Sequence, residues 1–202
     1  MPLTRKTPEQ PPLKPAEPDV AQLTSRDADA RWAAARAAGD DPASASALSR
    51  ALAVEVDRRV RHAIVGSLVR IGSPASVEAI LPYLRSDDAD LRTAALDALR
   101  EMPEPAMPIV HGLLQDQDAD VRILACDLLR IFPEGKQAEA LIRDVLNSEP
   151  VANVCAAAVE VLAEIGSAES VPYLHRCAER FPDDPFLAFS IQAVAARIAA
   201  RT

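Results

Sequence analysis

Aromatic side chains make up only 3% of this 202-residue chain, although 49% of it is apolar. A core must therefore be built from aliphatic side chains and alanine. Glycine is scarce at six residues, and Val, Ile and Thr never form alternating runs, which argues against strands. No apolar run approaches the roughly 18 residues that cross a bilayer, and no apolar segment near the N-terminus suggests a secretory signal. The three cysteines, Cys126, Cys155 and Cys177, are odd in number and scattered. They do not form a disulfide framework, and the expected compartment is a reducing cytoplasm. Lysine occurs three times, the net charge is −8 and the pI is near 4.9. That balance opposes general affinity for nucleic acid and for anionic lipid. The Arg58-Arg59-Val60-Arg61 cluster reads as a solvated face rather than a phosphate track.

Catalytic vocabulary is missing too. There is no CxxC pair, no Gly-rich phosphate loop and no Ser-His-Asp arrangement. The histidines are His62, His111 and His175. His111 and His175 align with Leu81, an apolar position, so packed histidines are expected rather than metal ligands. His175 and Cys177 with Cys155 form the one conceivable metal set, but cysteines at inward positions act as small apolar groups. The expectation is a chain with no enzyme activity, no cofactor and no metal.

Proline, by contrast, is plentiful. Six prolines fall between Pro2 and Pro18, so residues 1–23 are expected to form a flexible, polyproline-biased tail ahead of a folded unit over 24–202. Pro12-Leu13-Lys14-Pro15 fits a PxxP pattern, for which plain linker is the preferred reading.

The folded unit repeats itself. Asp87-Asp88-Ala89-Asp90-Leu91-Arg92 is echoed by Asp118-Ala119-Asp120-Val121-Arg122 and by Asp57-Arg58-Arg59-Val60-Arg61. Arg31, Arg61, Arg92 and Arg122 are spaced 30, 31 and 30 residues apart. Ile165-Gly166 matches Ile71-Gly72 and places Cys155 where the fifth arginine would stand. A period of about 30–33 residues is the mark of a stacked array. Within a unit the pattern predicts two helices. Asp88 and Asp118 precede apolar stripes (Leu91, Ala94, Ala95, Ala98, Leu99; and Val121, Leu124, Ala125, Leu128, Leu129) as N-caps. Breaks follow at Ile71-Gly72, Met102-Pro103, Phe132-Pro133 and Ile165-Gly166. Ser73-Pro74 then opens a second helix carrying Val77, Ile80, Leu81 and Leu84. Pro108 and Pro172 are read as equivalent first-turn positions.

Period, paired helices and the D-x-D-[VL]-R opening together resemble HEAT repeats, in particular the short variety found in phycobilisome lyases. The resemblance implies an all-α solenoid of about five two-helix repeats and a terminal helix. It also implies a hydrogen-bonding ladder of Asp and Arg between units, here assigned to Arg61, Asp88, Arg92, Asp118 and Arg122. Asn153 and Cys155 interrupt it. The repeated His-Glu pairs of the HEAT hydroxylase are absent. Second helices of such arrays usually line the concave face, which makes Glu78, Tyr83, His111, Gln115, Arg143, Tyr173 and Arg176 the candidate protein-binding residues. Tyr and Arg suit that role, although Tyr83 could equally pack between repeats. Trp32 at one end and Phe181, Phe186 and Phe189 at the other are expected to cap the array. A looser resemblance, carried by Val151–Gly166 and Arg180–Phe189, is to small proteobacterial HEAT proteins that accompany chemotaxis-type signalling genes. The function implied is a scaffold or adaptor binding another protein, with a bacterial signalling complex as one setting; a monomer is favoured, with the oligomeric state left open. The alternative is a bilin-lyase-like or chaperone subunit acting on a tetrapyrrole protein. Nucleic-acid binding ranks last.

Overall fold

The computed structural model describes residues 19–131 and 135–201. The six prolines of the expected tail, the PxxP pattern and the Phe132-Pro133 break lie outside the described residues. Asp19, the first described, caps a short 3-10 turn, Val20–Thr24, whose Leu23 is buried. Eleven α-helices follow, and no strand occurs among the described residues. They pair as five units: α1 (Ala28–Ala38) with α2 (Ala45–Leu52), α3 (Arg58–Ile71) with α4 (Pro74–Ile80), α5 (Ala89–Arg100) with α6 (Pro103–Leu113), α7 (Ala119–Leu128) with α8 (Gly135–Ser148), and α9 (Ala152–Ile165) with α10 (Val171–Arg180). A terminal helix, α11 (Pro185–Ala199), completes the array. The first helices stack in sequence from α1 through α3, α5, α7 and α9 to α11. Alanine on their buried faces (Ala34, Ala35, Ala95, Ala98, Ala125, Ala158) permits close approach. Larger aliphatics fill the layer against the second helices, among them Leu48, Ile64, Leu68, Ile80, Leu99, Leu128, Ile142 and Leu162.

Local chemistry explains the boundaries. Asp27, Asp57, Asp88 and Asp118 each accept a backbone N–H in the first turn of α1, α3, α5 and α7. The carboxylate satisfies a donor with no intrahelical partner and faces the positive helix end. Ser73 and Ser76 form a reciprocal capping box around Pro74. Gly72 ends α3 at φ +59°, a left-handed cap that disfavours any side chain. Gly166 ends α9 for another reason. A Cβ there would lie 2.5 Å from the Leu162 carbonyl oxygen and 2.9 Å from Ile198, so α11 could not pack as it does. The two helical prolines prove inequivalent. Pro172 is in the first turn of α10, whereas α6 already begins at Pro103 and holds Pro108 in its interior. The shift arises because Pro103 is itself a good first residue.

The ladder joins the units, with partners that differ from the Asp–Arg series expected. Arg31 of α1 forms a bidentate pair with Glu55 at 2.7 and 2.9 Å and donates to the Ser25 carbonyl at 2.9 Å. Arg122 of α7 repeats this with Glu149 at 2.8 Å for both bonds and the Asp116 carbonyl at 2.7 Å. Arg61 pairs with Asp88 at 3.0 Å, and Arg92 donates to the Ser86 carbonyl of its own connection. Asp118 caps its own helix and forms no ion pair among the described residues. Each arginine therefore stands four residues after an N-cap; Arg31, Arg92 and Arg122 reach a residue two before one, whereas Arg61 reaches the cap Asp88 itself. Glu55 and Glu149 occupy that second column, ahead of Asp57 and Val151.

In the fifth unit the arginine is lost, but its hydrogen bond is not. The Cys155 thiol points to the Glu149 carbonyl at 3.6 Å, the acceptor an arginine would use. Arg180, at the end of α10, reaches back to donate to the Glu149 and Leu146 carbonyls and lies 3.8 Å from the Cys155 sulfur. A second set of ion pairs links Asp97, Arg100, Asp127, Arg130, Glu160 and Glu164 across α5, the α7 region and α9. The cysteines are buried thiols, and burial pushes Cys126 up to about 12.

The Arg122–Glu149 pair is 11% and 6% exposed, so removing one partner strands the other in a poorly hydrated site. Glu149→Ala is expected to lower the unfolding free energy by about 2–3 kcal/mol in urea titrations. Asp90→Ala, which breaks an ion pair with Arg58 exposed on both sides, should leave the curve unchanged. Arg180→Ala should cost about 1–2 kcal/mol by removing its hydrogen bonds to the Leu146 and Glu149 carbonyls. Acid sensitivity follows from two glutamates. The Arg31 hydrogen bond holds Glu55 below the ordinary value of 4.5, against the effect of burial. Burial raises Glu139, but the Ser170 and Ser167 hydroxyls and the Ser167 N–H outweigh it and leave that group low as well. A carboxyl lowered on folding contributes stability fully present above its unfolded value and lost as pH falls through the folded one. The Glu55→Gln, Glu139→Gln double variant should thus be less stable at pH 7, with a flatter loss of stability below pH 4.5.

Candidate protein-interaction site

The seven residues chosen from the second helices separate into three groups. Glu78 of α4 is exposed and isolated. Tyr83 lies in the 3-10 turn Leu81–Arg85 that extends α4, half-buried against the core, where burial raises its phenol above the usual value. Of its two readings, this position gives it a packing role. His111, near the end of α6, faces Gln115 just beyond it at 3.2 Å, and both are exposed. His175 is exposed as well. The expectation of packed histidines is therefore overturned: both lie one step around the helix from the buried column, which runs through Val110 and Leu174. Among the described residues no three His, Cys, Asp or Glu groups are placed to hold a metal ion.

The third group is assembled. Arg143 of α8 and Arg176 of α10 lie over the Tyr173 ring, their guanidinium carbons 5.7 and 4.4 Å from its centroid. The separation of Tyr173 and Arg176 by three residues on one helix brings the second pair together, and the stacking of α8 on α10 supplies Arg143. Arg143 also donates to Glu169 at 2.7 Å, which keeps its guanidinium firmly protonated. Arg176 is exposed and makes no ion pair among the described residues. Glu139, one helical turn before Arg143, closes the base of this area by accepting from Ser167 and Ser170 at the start of the α10 region. An aromatic ring contacted by two guanidinium groups has the composition of a binding hot spot. Beside it a cleft of about 90 Å³ runs between α6 and α8, lined by His111, Leu114, Gln115, Leu141 and Asp144. That is well below the roughly 300–1,000 Å³ of sites for sizeable organic ligands.

The ends of the array divide differently from expectation. Trp32 packs against the core with Arg36 and Arg59 over its ring, and Phe181 packs likewise beneath Arg180. Both cap. Phe186 and Phe189 do not: they are 85% and 72% exposed on α11. Their helix buries Leu187, Ile191, Val194 and Ile198 instead, so both phenylalanines fall on the opposite face.

Sequence reading passed over Glu55, Glu139, Glu149, Glu169 and Arg180. An alignment of the units would have exposed Glu55 and Glu149, two residues ahead of the cap column. Glu139, Glu169 and Arg180 follow no repeat and carry no such signal.

No helix among the described residues is long and apolar enough to cross a membrane. No curated protein matches the chain. Similar folds among solved structures include an engineered protein (20% identity, 90% of this chain and 97% of that one, TM-score 0.44) and a designed armadillo repeat protein (16%, 89% and 98%, 0.42). Another is the complex of CpcE and CpcF of phycocyanin lyase from Nostoc sp. PCC7120 (18%, 98% and 100%, 0.41). The family model for HEAT repeats matches residues 17–100 and 101–195. With almost the whole chain covered by paired helices at that period, the protein belongs to the HEAT-repeat family.

Proposed function

We propose that this HEAT-repeat scaffold binds another protein through the α8–α10 surface, with Tyr173 as the anchor and Arg143 and Arg176 as its charged flanks. The observation that carries the reading is the Arg176 guanidinium, stacked on Tyr173 yet without a carboxylate partner among the described residues of a chain of net charge −8. Stacking fixes the plane of the group while its N–H donors remain free. That arrangement favours a partner segment presenting an Asp, a Glu or a terminal carboxylate, which a planar guanidinium can hold with two hydrogen bonds. Glu78 and His111 lie on other second helices of the same array, with Gln115 just beyond α6, where they would contact a longer partner. A place in a bacterial chemosensory complex rests on the resemblance in sequence alone. No distinct observation favours a tetrapyrrole-protein subunit.

The test is affinity capture with quantitative mass spectrometry, comparing the parent chain with Arg176→Glu and Tyr173→Ala. A partner held by this surface should be depleted at least about tenfold by either change, equivalent to about 1.4 kcal/mol. Helicity and melting temperature should stay within a few degrees of the parent. A partner retained equally by all three chains would refute the assignment.

A further inference from the structure

The outer face of α11 carries the largest exposed apolar side chains of the described residues. Phe186, Phe189, Ala193, Ala196 and Ala200 recur at intervals of three and four residues, and all are exposed. They form one stripe, directly opposite the buried Leu187, Ile191, Val194 and Ile198. The first helices stack each on the next, and α11 uses its buried face for α9. Its other face is the side on which a further first helix would stack, and nothing among the described residues covers it. Two adjacent exposed phenylalanines are a costly surface for a monomer.

We propose that this face pairs with the same face of a second copy of the chain, the two α11 helices running antiparallel about a two-fold axis near Ala193. Size complementarity points to this occupant. An antiparallel pair centred on Ala193 sets Phe189 over Ala196 of the partner subunit and Phe186 over Ala200 of the partner subunit. Each large side chain then meets a small one, and the middle of the helices can approach closely. A parallel pair would stack phenylalanine on phenylalanine and leave alanine facing alanine across a gap.

Charge points the same way. Asp183 and Asp184 flank the start of α11, with Arg197 and Arg201 at its end. Antiparallel pairing brings the acidic end of one helix to the basic end of the other, twice, and opposes the helix dipoles. Asp184 is partly committed as the N-cap, accepting from Leu187 at 2.9 Å, and Arg201 donates to the Ala163 and Glu164 carbonyls. Asp183 makes no ion pair among the described residues, which leaves it for the basic end of the partner helix. Because each residue meets its counterpart reciprocally, the contact is isologous and closes at two copies. Four phenylalanines, each of about 150–250 Å², supply most of a contact at the small end of specific interfaces. The association is therefore weak and reversible, in place of the monomer favoured from sequence.

Sedimentation velocity of the full chain between about 1 and 300 µM, the range in which a contact of this size dissociates, tests the pairing. A concentration-dependent monomer–dimer equilibrium is expected, and Phe189→Ser should weaken it at least about tenfold with helicity and melting unchanged. Orientation is tested with a short bismaleimide under native conditions. Ala193→Cys, on the axis, should cross-link into dimers. Ala200→Cys should not, because antiparallel pairing separates the two copies of that position by about 20 Å at 1.5 Å per residue. A monomer throughout the range, or a dimer indifferent to Phe189→Ser, overturns the proposal. Equal cross-linking of both cysteine variants overturns the antiparallel geometry. Loss of a different captured protein in Phe189→Ser, with the parent monomeric, would give the face another occupant and overturn self-pairing.

Discussion

The angle between successive units depends on a guanidinium that crosses from one first helix to the connection of the next. Apolar burial drives the helices together but has little direction, and alanine-lined faces can slide and rotate over one another at small cost. A bidentate arginine–carboxylate pair has one good geometry. Arg31 with Glu55 and Arg122 with Glu149 each tie a helix to a point just ahead of the following N-cap. Because the same guanidinium also holds a carbonyl of its own connection, helix, entry loop and next unit are bound at one atom cluster. Energetically such a pair is a modest net gain once desolvation is counted. Its larger effect is to select one stacking angle from many that the core would tolerate.

Seen this way, the departures between units have a common form. Arg61 takes the cap Asp88 itself, and Arg92 keeps only its own carbonyl. In the fifth unit a thiol replaces the guanidinium, and Arg180 supplies the missing donors from the far end of α10. A buried carbonyl without a donor costs as much as the lost hydrogen bond, so relaxation of one column demands an answer from elsewhere in the chain. Arg180 is that answer. Its position also places Phe181 beneath its guanidinium, which joins the repair of the ladder to the closure of the core.

Legibility follows from the same distinction between what repeats and what does not. The five units, the terminal helix, the aspartate caps and the glycine stops were readable because each is a local signal printed several times. The pairing of the ladder was only half readable. Arg61 with Asp88 fitted the pattern, but the sequence alone could not say that Arg92 leaves Asp118 unpaired or that Arg122 takes Glu149. That choice depends on how far the connection swings from the helix axis. Pro108 misled for a related reason, since the start of α6 depends on whether Pro103 begins a helix or ends one. At the candidate site the residue types were legible and their company was not. Only the stacking of α8 on α10 brings Arg143 over Tyr173, whereas Tyr83, of the same type and equally half-buried, has no guanidinium over its ring among the described residues.

The two phenylalanines at the end of the array carry the same lesson to the surface. From composition, scarce aromatics near a terminus belong to a cap, and Trp32 and Phe181 obey. Yet a helix that closes an array with four aliphatic side chains has no room on that face for more. Leu187, Ile191, Val194 and Ile198 already seal α9, and Gly166 lets Ile198 come so near the backbone that nothing larger would fit. Phe186 and Phe189 are left outside by the tightness of the cap rather than by any failure of it. An interior packed by small residues thus sets the character of the exterior, because the face of α11 that closes on α9 leaves no space for Phe186 and Phe189, which stay exposed on the other.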